Sequence, residues 1–253
     1  MCKLCAIPRS FSREETIKIL KHFEGNNTDG IGYSYVKNNQ FITKKWPDSF
    51  SNTLKKEKEE FLSHFPHNGW TIVHLRAGTH GENIISNTHP FNIRNWSIVH
   101  NGIFSEHKVV RLVLSKSVKF NGETDSEVAA YLINLIGPKK FSQEIDFSGV
   151  FMCLNRNGNL EIAKTSGDLS IVSLNDKRIL LASSLDFRKY KKQSEAFIGW
   201  YLFDKNGKYV KHKTNESSYE TMENSNCFTH CRGSYNNFST VKRPAGFYHY
   251  IGE

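Results

Sequence analysis

The chain has 253 residues, of which 38% are hydrophobic and 13% aromatic, and this composition excludes an intrinsically disordered protein. No apolar run reaches the length of a membrane span, and charged residues follow Met1 too soon for a signal peptide, so we expect a cytoplasmic protein without a membrane partner. The net charge of +9 permits an acidic partner, but the lysines are scattered along the chain, which argues against nucleic-acid binding.

The N-terminal quarter of the chain predicts two helices and a hairpin. Ser12 and Glu15 have the spacing of a capping box, and apolar residues recur after them at helical spacing. The β-prone runs 33–36 and 41–43 are separated by a short polar turn and predict a hairpin. In the run 51–65 the apolar residues share one side, which predicts a second amphipathic helix.

Polar and glycine residues follow two β-prone runs in the next part of the chain. The run 70–75 is apolar enough to be buried on both faces, and Arg76 follows it. The run 96–99 is a second strand of this kind, and the tripeptide 100–102 follows it. Because a rigid sheet commonly presents chemistry where its strands end, both places are candidate functional sites.

The rest of the chain predicts two helices and then three hairpins. Helices are expected over 106–115 and over 125–136, the second with Thr124 or Asp125 at its start. The paired β-prone runs are 150–154 with 160–163, 169–174 with 178–182, and 200–203 with 209–213. This order of elements suits an α+β layered sandwich. Since no repeat or linker interrupts it, we expect residues 1–253 to form a single domain.

The cysteines are few and widely spaced. Their number, five, is odd and does not indicate a disulfide framework, which fits a reducing compartment. Cys227 and Cys231 stand close to His230 and could supply half of a metal site, but no second pair with matching spacing lies near them. We therefore expect neither a metal ion nor another cofactor.

Cys2 is the candidate nucleophile. Removal of Met1 would make Cys2 the N-terminus, since methionine removal requires a small second residue. Its α-amine, with a pKa near ~8, would then lie beside its own thiol, with a pKa near ~8.5. Such a residue carries both nucleophile and base, so that no histidine base is needed. Cys2 alone is a weak motif, because a cysteine at this position is usually just a buried or frayed terminal residue.

Three further segments make the pattern specific, because they follow Cys2 in a fixed order. They are 74–81, then 89–91 with its later partner 100–102, and 123–128. Together with an Asp-Gly-x-Gly turn at 29–32, they resemble the class II glutamine amidotransferases, most closely the stand-alone members. The resemblance implies the N-terminal nucleophile hydrolase fold, a four-layer αββα sandwich. It covers about residues 1–185 and leaves the role of 186–253 open.

The resemblance implies a glutaminase reaction at Cys2. The thiol attacks the side-chain amide of glutamine, forms a γ-glutamyl thioester and releases ammonia. The side-chain amide of Asn101 and the backbone N–H of Gly102 would form the oxyanion hole. The glycine would also let the backbone approach the substrate closely.

The remaining site residues are expected to bind the α-carbon end of glutamine. Arg76 can hold the carboxylate through its planar fork, the plain alternative being a surface ion pair. Asp125 can take the ammonium, and it could equally be a helix N-cap. By resemblance, Thr79 and His80 also line the carboxylate pocket, and the Gly102 backbone helps to hold the amino end.

An ammonia-releasing enzyme is expected to have a partner that accepts ammonia. The resemblance implies a separate synthetase or peptidase subunit, and the basic run 188–192 is a candidate docking surface. The chain departs from many members of the family at two positions, with Lys3 in place of glycine and Ala77 in place of an aromatic residue. We expect these departures to change the shape of the pocket and the ammonia route, not the chemistry.

Three other functions fit parts of the sequence. A γ-glutamyl peptide hydrolase would use the same nucleophile together with a peptidase partner. A basic nucleic-acid or scaffold protein on an inactive hydrolase fold would retain Met1. A metallohydrolase would use His74, His80, His89 and His100, although no known ligand spacing relates them. In the glutaminase interpretation, His89 and His100 are core or supporting residues, because the α-amine is already the base.

Overall fold

The structure of the chain is a computed structural model that describes residues 2–8, 11–63, 69–78, 82–173, 178–183, 192–196, 198–213 and 219–220. By its contacts the chain divides into two compact units, Met1–Glu223 and Asn224–Glu253, and all of the described residues lie in the first. The cluster of Cys227, His230 and Cys231 and most of the basic run 188–192 lie outside the described residues.

Five α-helices and fourteen β-strands occur in the described part of the chain. The helices are α1 (Arg13–Glu24), α2 (Phe50–Leu62), α3 (His107–Leu114), α4 (Asp125–Ile136) and α5 (Pro138–Glu144). The strands are β1 (Lys3–Ile7), β2 (Gly30–Lys37), β3 (Gln40–Trp46), β4 (Thr71–Arg76), β5 (Phe91–Ile93), β6 (Trp96–Ile103), β7 (Ser148–Asn155), β8 (Leu160–Lys164), β9 (Ser170–Ser173), β10 (Ile179–Ala182), β11 (Lys192–Glu195), β12 (Gly199–Phe203), β13 (Tyr209–Lys213) and β14 (Tyr219–Glu220). None of these helices is both long and apolar enough to cross a membrane.

The strands form two seven-stranded sheets. The first has the order β11-β9-β10-β1-β4-β2-β3, and the second has the order β14-β13-β12-β8-β7-β6-β5. Neighbouring strands pair antiparallel in both sheets. The strands β1 and β4 therefore lie side by side within the first sheet, where both are flanked by other strands.

Side-chain alternation along β1 shows how the layers stack. Leu4 and Ala6 belong to a core between the two sheets, which includes Val99 of β6. Cys5 and Ile7 point the other way and pack in a core with residues of α1 and α2. A third core joins the outer face of β6 and β7 to α4 and α5. The layers are thus helices, sheet, sheet and helices, which confirms the predicted four-layer αββα sandwich.

Most of the predicted elements are confirmed. Ser12 caps α1, and its hydroxyl and the Glu15 carboxylate form the reciprocal bonds of a capping box. The predicted hairpin at 33–43 is the pair β2–β3, and the three later hairpins are β7–β8, β9–β10 and β12–β13. The α4 helix begins at Asp125, and its N-cap is Thr124, whose hydroxyl accepts from the Glu127 N–H.

Several element boundaries differ from the prediction, and the strands β1, β5, β11 and β14 are not among the predicted elements. The strand β6 does not end at Val99 but runs to Ile103, because its last residues continue to pair with β7. The α2 helix begins one residue earlier than expected, with Ser49 as its N-cap, and ends at Leu62. The α5 helix is not among the predicted elements, although Pro138 occupies its first turn, where proline is favoured.

Candidate active site

Cys2 lies where β1 begins and β4 ends. In the antiparallel register Lys3 pairs with Leu75, so that Cys2 comes beside Arg76. The Cys2 Sγ atom is 3.4 Å from both the backbone nitrogen and the carbonyl oxygen of Ala77. The thiol can donate to that carbonyl, and a thiolate can accept from that N–H. The backbone at Ala77 therefore provides a partner for Cys2 in either protonation state.

The surroundings of Cys2 have opposing effects on its pKa. Burial raises the pKa of the Cys2 thiol, while the Ala77 N–H, the positive N-terminus and Arg76 lower it in part. Cys5 and Cys153 are fully buried, and burial is the main cause that raises the pKa of both. Of the three cysteines in the described residues, only Cys2 is partly exposed. It is thus the one of the three that a substrate can reach.

Arg76 is a buried cation at the end of β4, with only 4% of its surface exposed. Its Nη1 atom donates to Asn83 Oδ1 at 2.5 Å and to the Glu82 carbonyl at 3.3 Å. A Cβ atom at Gly78 would come within 3.0 Å of the guanidinium carbon, so this glycine lies directly against the guanidinium group. The alternative of a surface ion pair is therefore wrong.

Two residues beside Arg76 escaped the sequence reasoning. Asp29 accepts from the Gly78 N–H at 2.7 Å and from the Asn83 side-chain amide at 3.2 Å, and its own N–H donates to the Arg76 carbonyl. Asp29 and Asn83 thus hold the chain on both sides of the guanidinium group. The Asp-Gly-x-Gly turn contained a signal for Asp29, whereas nothing in the sequence marks Asn83.

Asn101 lies in β6 and faces the first sheet. Val99, two residues earlier, packs in the core between the sheets, and strand alternation puts Asn101 on the same face. Its side chain is 9% exposed, and no hydrogen bond joins that side chain to another described residue. The Asn101 amide can therefore donate to a ligand without giving up a bond within the described part of the chain.

Position 102 requires glycine for a structural reason, in addition to the predicted close approach of its backbone to the substrate. Gly102 pairs with Gly149 of β7, and both have positive φ angles, +152° and +129°. A Cβ atom at Gly102 would lie 1.9 Å from the Ser148 carbonyl oxygen, and one at Gly149 would lie 2.2 Å from the Asn101 carbonyl oxygen. The close approach of β6 and β7 therefore requires glycine at both positions.

Asp125 is attached to the end of β6. Its Oδ2 atom accepts from the Phe104 N–H at 2.8 Å, and its Oδ1 atom accepts from the Ser126 N–H at 2.8 Å. The Ser126 hydroxyl shares a hydrogen bond of 2.9 Å with His100 Nδ1. Because Thr124 is the N-cap, Asp125 does not have the capping role that we considered for it.

Three further side chains that we did not predict hold the loop 121–124 that leads to Asp125. Glu127 accepts from the backbone N–H groups at 121 and 122, and Arg111 donates to the carbonyls at 122 and 124. Asn87 accepts from the N–H at 123. Glu127 lies within a segment that we singled out from the sequence, whereas nothing in the sequence marks Arg111.

The predicted site residues within the described part of the chain fall into two groups. The first group, at the end of β4, contains Cys2 and Arg76, and the second, at the end of β6, contains Asn101, Gly102 and Asp125. His74 of β4 joins the two strands, because its Nε2 atom lies 3.0 Å from the His100 carbonyl oxygen. Thr79 and His80 lie outside the described residues, so their predicted contact with the substrate stays a prediction.

Three of the four histidines of the metallohydrolase alternative lie in the described part of the chain. His74, His89 and His100 are all buried, but the described part of the chain contains no group of three or more His, Cys, Asp or Glu side chains arranged to hold a metal ion. His80, the fourth histidine of the metallohydrolase alternative, lies outside that part.

The chain is similar in sequence to several known proteins. The sequence model of the glutamine amidotransferases class-II matches residues 1–183. The glutamine–fructose-6-phosphate aminotransferase of Pectobacterium atrosepticum is 30% identical over 136 residues, 52% of this chain and 22% of that protein. A protein of Acanthamoeba polyphaga mimivirus, named "Probable glutamine–fructose-6-phosphate aminotransferase", is 28% identical over 212 residues, 77% of this chain and 35% of that protein. The chain thus spans about a fifth to a third of the length of these curated relatives.

Solved structures share the fold. The glutamine phosphoribosylpyrophosphate amidotransferase from B. subtilis, complexed with ADP and GMP, aligns with a TM-score of 0.69 and 16% identity, over 87% of this chain and 50% of that chain. A glutamine aminotransferase class-II domain protein from Silicibacter pomeroyi aligns with a TM-score of 0.52 and 13% identity, over 81% of this chain and 96% of that chain. At these identities the likeness shows the fold, while the match over residues 1–183 shows the family. The chain belongs to the class-II glutamine amidotransferases.

Proposed function

We propose that the chain hydrolyses the side-chain amide of glutamine with the Cys2 thiol as its nucleophile. The observation that supports this most directly is the place of Cys2, partly exposed at the end of β1, beside Arg76 and within 3.4 Å of the Ala77 N–H. After removal of Met1 the α-amine of Cys2 accepts the thiol proton. The Ala77 N–H and the charge of Arg76 both lower the pKa of the thiol and so favour the thiolate, against the effect of burial.

The first half of the reaction forms a carbon–sulfur bond and breaks the amide. The thiolate attacks the γ-carbonyl carbon, and the carbonyl oxygen becomes an oxyanion. The Asn101 side-chain amide and the Gly102 N–H donate to that oxygen, and one such donor contributes a factor of about 10²–10³ to the rate. The Cys2 ammonium then gives its proton to the leaving nitrogen, the carbon–nitrogen bond breaks, and ammonia departs.

The second half returns the enzyme to its starting state. Water attacks the γ-glutamyl thioester while the Cys2 amine accepts one proton from it. The carbon–sulfur bond breaks, the thiolate takes a proton, and glutamate leaves. The same amine and the same oxyanion donors are used twice, so no other base is needed from the described residues.

Substrate binding depends on two charges on opposite sides of the site. Arg76 receives the glutamine carboxylate and Asp125 receives its ammonium. Arg76 is buried, and a Cβ atom at position 78 would crowd its guanidinium group, so glycine at 78 favours access to that group. Asp125 is held by the Phe104 and Ser126 N–H groups, so its carboxylate is oriented before the substrate arrives. By resemblance, Thr79 and His80 complete the carboxylate pocket.

We expect Arg76→Lys and Asp125→Asn each to raise the KM for glutamine. Hydrogen bonds to charged groups contribute about 1.5–3 kcal/mol, so each change should raise KM about 10–100-fold. Lysine keeps the charge of Arg76 but cannot bind a carboxylate with two parallel hydrogen bonds. Steady-state kinetics with glutamine measures the effect.

Two matched controls accompany these variants. Arg156→Lys changes an exposed arginine that contacts only the Arg94 and Asn39 carbonyls and an aromatic ring in the described residues. Glu144→Gln removes an exposed carboxylate paired with Lys140 on α5. Both controls should leave KM within about twofold, as is usual for surface changes. An unchanged KM in both site variants would contradict this placement of the pocket.

The ammonia acceptor lies outside these 253 residues in this proposal. The relatives' names join glutamine to fructose-6-phosphate and to phosphoribosylpyrophosphate, and the chain spans only 22% of the first relative and 50% of the B. subtilis protein. Most of the remaining length of these two proteins therefore has no counterpart in this chain. A separate synthetase or peptidase subunit would take the ammonia, and the basic run 188–192 stays the predicted docking surface.

A further inference from the structure

The His74 side chain joins β4 to the backbone of β6 by a hydrogen bond. Its side chain is fully buried, and Nε2 lies 3.0 Å from the His100 carbonyl oxygen. A carbonyl oxygen only accepts, so Nε2 must carry the proton and donate. Burial lowers the pKa of His74 to about 3, which keeps the ring neutral at ordinary pH. The bond is therefore a neutral N–H to carbonyl hydrogen bond.

The carbonyl that His74 holds belongs to the peptide unit that begins Asn101. The His100 C=O and the Asn101 N–H share one rigid plane, so fixing the oxygen fixes the direction in which the strand enters Asn101. Asn101 itself has no side-chain hydrogen bond to another described residue. The orientation of the Asn101 side chain thus depends on its own backbone, and that backbone depends on the peptide unit between His100 and Asn101.

Both ends of this hydrogen bond are themselves held in place. The His89 ring packs on the His74 ring, with centroids 4.0 Å apart, and Phe91 lies edge-on to His89 at 4.8 Å. On the other side of β6 the His100 ring stacks on Phe151 at 3.9 Å, with parallel planes. Ser126 shares a hydrogen bond with His100 Nδ1.

The backbone of β2 leaves room for this arrangement. A Cβ atom at Gly32 would lie 2.0 Å from the His89 carbonyl oxygen, so the chain at His89 can approach the first sheet only where β2 has no side chain. Gly32, the second glycine of the Asp-Gly-x-Gly turn, therefore lets the His89 backbone lie close to β2, in the position from which the His89 ring packs on His74.

We propose that His74 is a positioning residue for the oxyanion hole, which it serves by fixing the His100–Asn101 peptide from the opposite sheet. The inference rests on the proposed function, since it takes Asn101 as an oxyanion donor. His74 then influences the transition state, in which the oxyanion exists, and not the binding of glutamine. The loss of its bond lowers kcat and leaves KM unchanged.

The test compares two variants of nearly equal size. His74→Met removes the donor and should lower kcat for glutamine about 10–100-fold, less than the 10²–10³ that a lost oxyanion donor costs. His74→Gln keeps an N–H at a similar reach and should recover most of kcat. The Cys2 thiolate attacks iodoacetamide at a saturated carbon, and no oxyanion forms. The rate of Cys2 alkylation should therefore be the same in the unchanged protein and in both variants.

A double-mutant cycle with Asn101→Ala separates positioning from a general loss of structure. If His74 acts through Asn101, adding His74→Met to Asn101→Ala should lower kcat no further. If the fold-losses of kcat in the two single variants multiply in the double variant, the inference is overturned and the proposed function still stands. An unchanged kcat in Asn101→Ala alone would overturn both. Should His74→Met not fold, as judged by circular dichroism, His74→Leu replaces it in the same cycle, and an unchanged kcat in that variant also contradicts the inference.

Discussion

Cys2→Ser is expected to lose nearly all glutaminase activity, with kcat falling on the order of 10³-fold or more. A serine hydroxyl is far less acidic than a thiol, so far less of it is present as the anion at neutral pH, and it is the weaker nucleophile. The bond from the Ala77 N–H and the charge of Arg76 would favour an anion that scarcely forms. Ammonia release from glutamine, measured in a coupled assay, gives the rate.

Cys5→Ala is the matched control for this loss. Cys5 lies in β1, three residues along the chain from Cys2, but it is fully buried and faces the helices α1 and α2. The change should lower stability through the lost contacts and leave kcat within a few fold. The assignment of the nucleophile would be wrong if Cys2→Ser kept more than a tenth of the activity, or if Cys5→Ala lost as much.

Acidification is expected to destabilise the fold in the range where histidines titrate. Burial lowers the pKa of His74 to about 3 and that of His100 to about 4, and it lowers the pKa of His89 well below its usual value. These histidines stay neutral in the folded chain, while in the unfolded chain they bind protons below about pH 6.5. The unfolded state thus gains protons as the pH falls, and stability, fully present above pH 6.5, is lost progressively below it.

The size of this effect follows from the number of buried rings. Three histidines that protonate only on unfolding would lower the free energy of unfolding by about 4 kcal/mol between pH 7 and pH 5.5. Urea unfolding at a series of pH values measures it. His74→Gln removes one of the three groups, so the pH dependence should fall by about a third. Stability that is constant or that rises from pH 7 to pH 5.5 would contradict the buried neutral histidines.

The elements that the sequence predicts well are those whose signals are local. Ser12 and Glu15 mark the start of α1, because a capping box involves only residues three apart. The turns of two of the three later hairpins are marked by the Asn-Gly pairs that their geometry favours, at Gly158 and Gly207, both with positive φ. Cys2 and Arg76 could be proposed for the site because they belong to motifs with a recognisable order.

The features that the sequence does not predict depend on contacts between distant strands. The glycine at 102 looks like a strand end, yet β6 continues through it, because Gly149 of β7 pairs with it at close range. The bond from His74 to the His100 carbonyl joins two sheets, and no periodicity in either strand shows which sheet faces the other. Asn83 beside Arg76 is missed for the same reason, since its role comes from a loop folded onto β4.

The most direct test of the account is an intact-mass measurement of the active protein before and after a glutamine-analogue electrophile. The account predicts a mass without Met1 and then a single adduct, located at Cys2 by peptide mapping, whose formation excess glutamine slows. Cys5 and Cys153 are buried and should stay unlabelled. Full glutaminase activity in a protein that retains Met1, or an adduct at any residue other than Cys2, would contradict the N-terminal thiol mechanism.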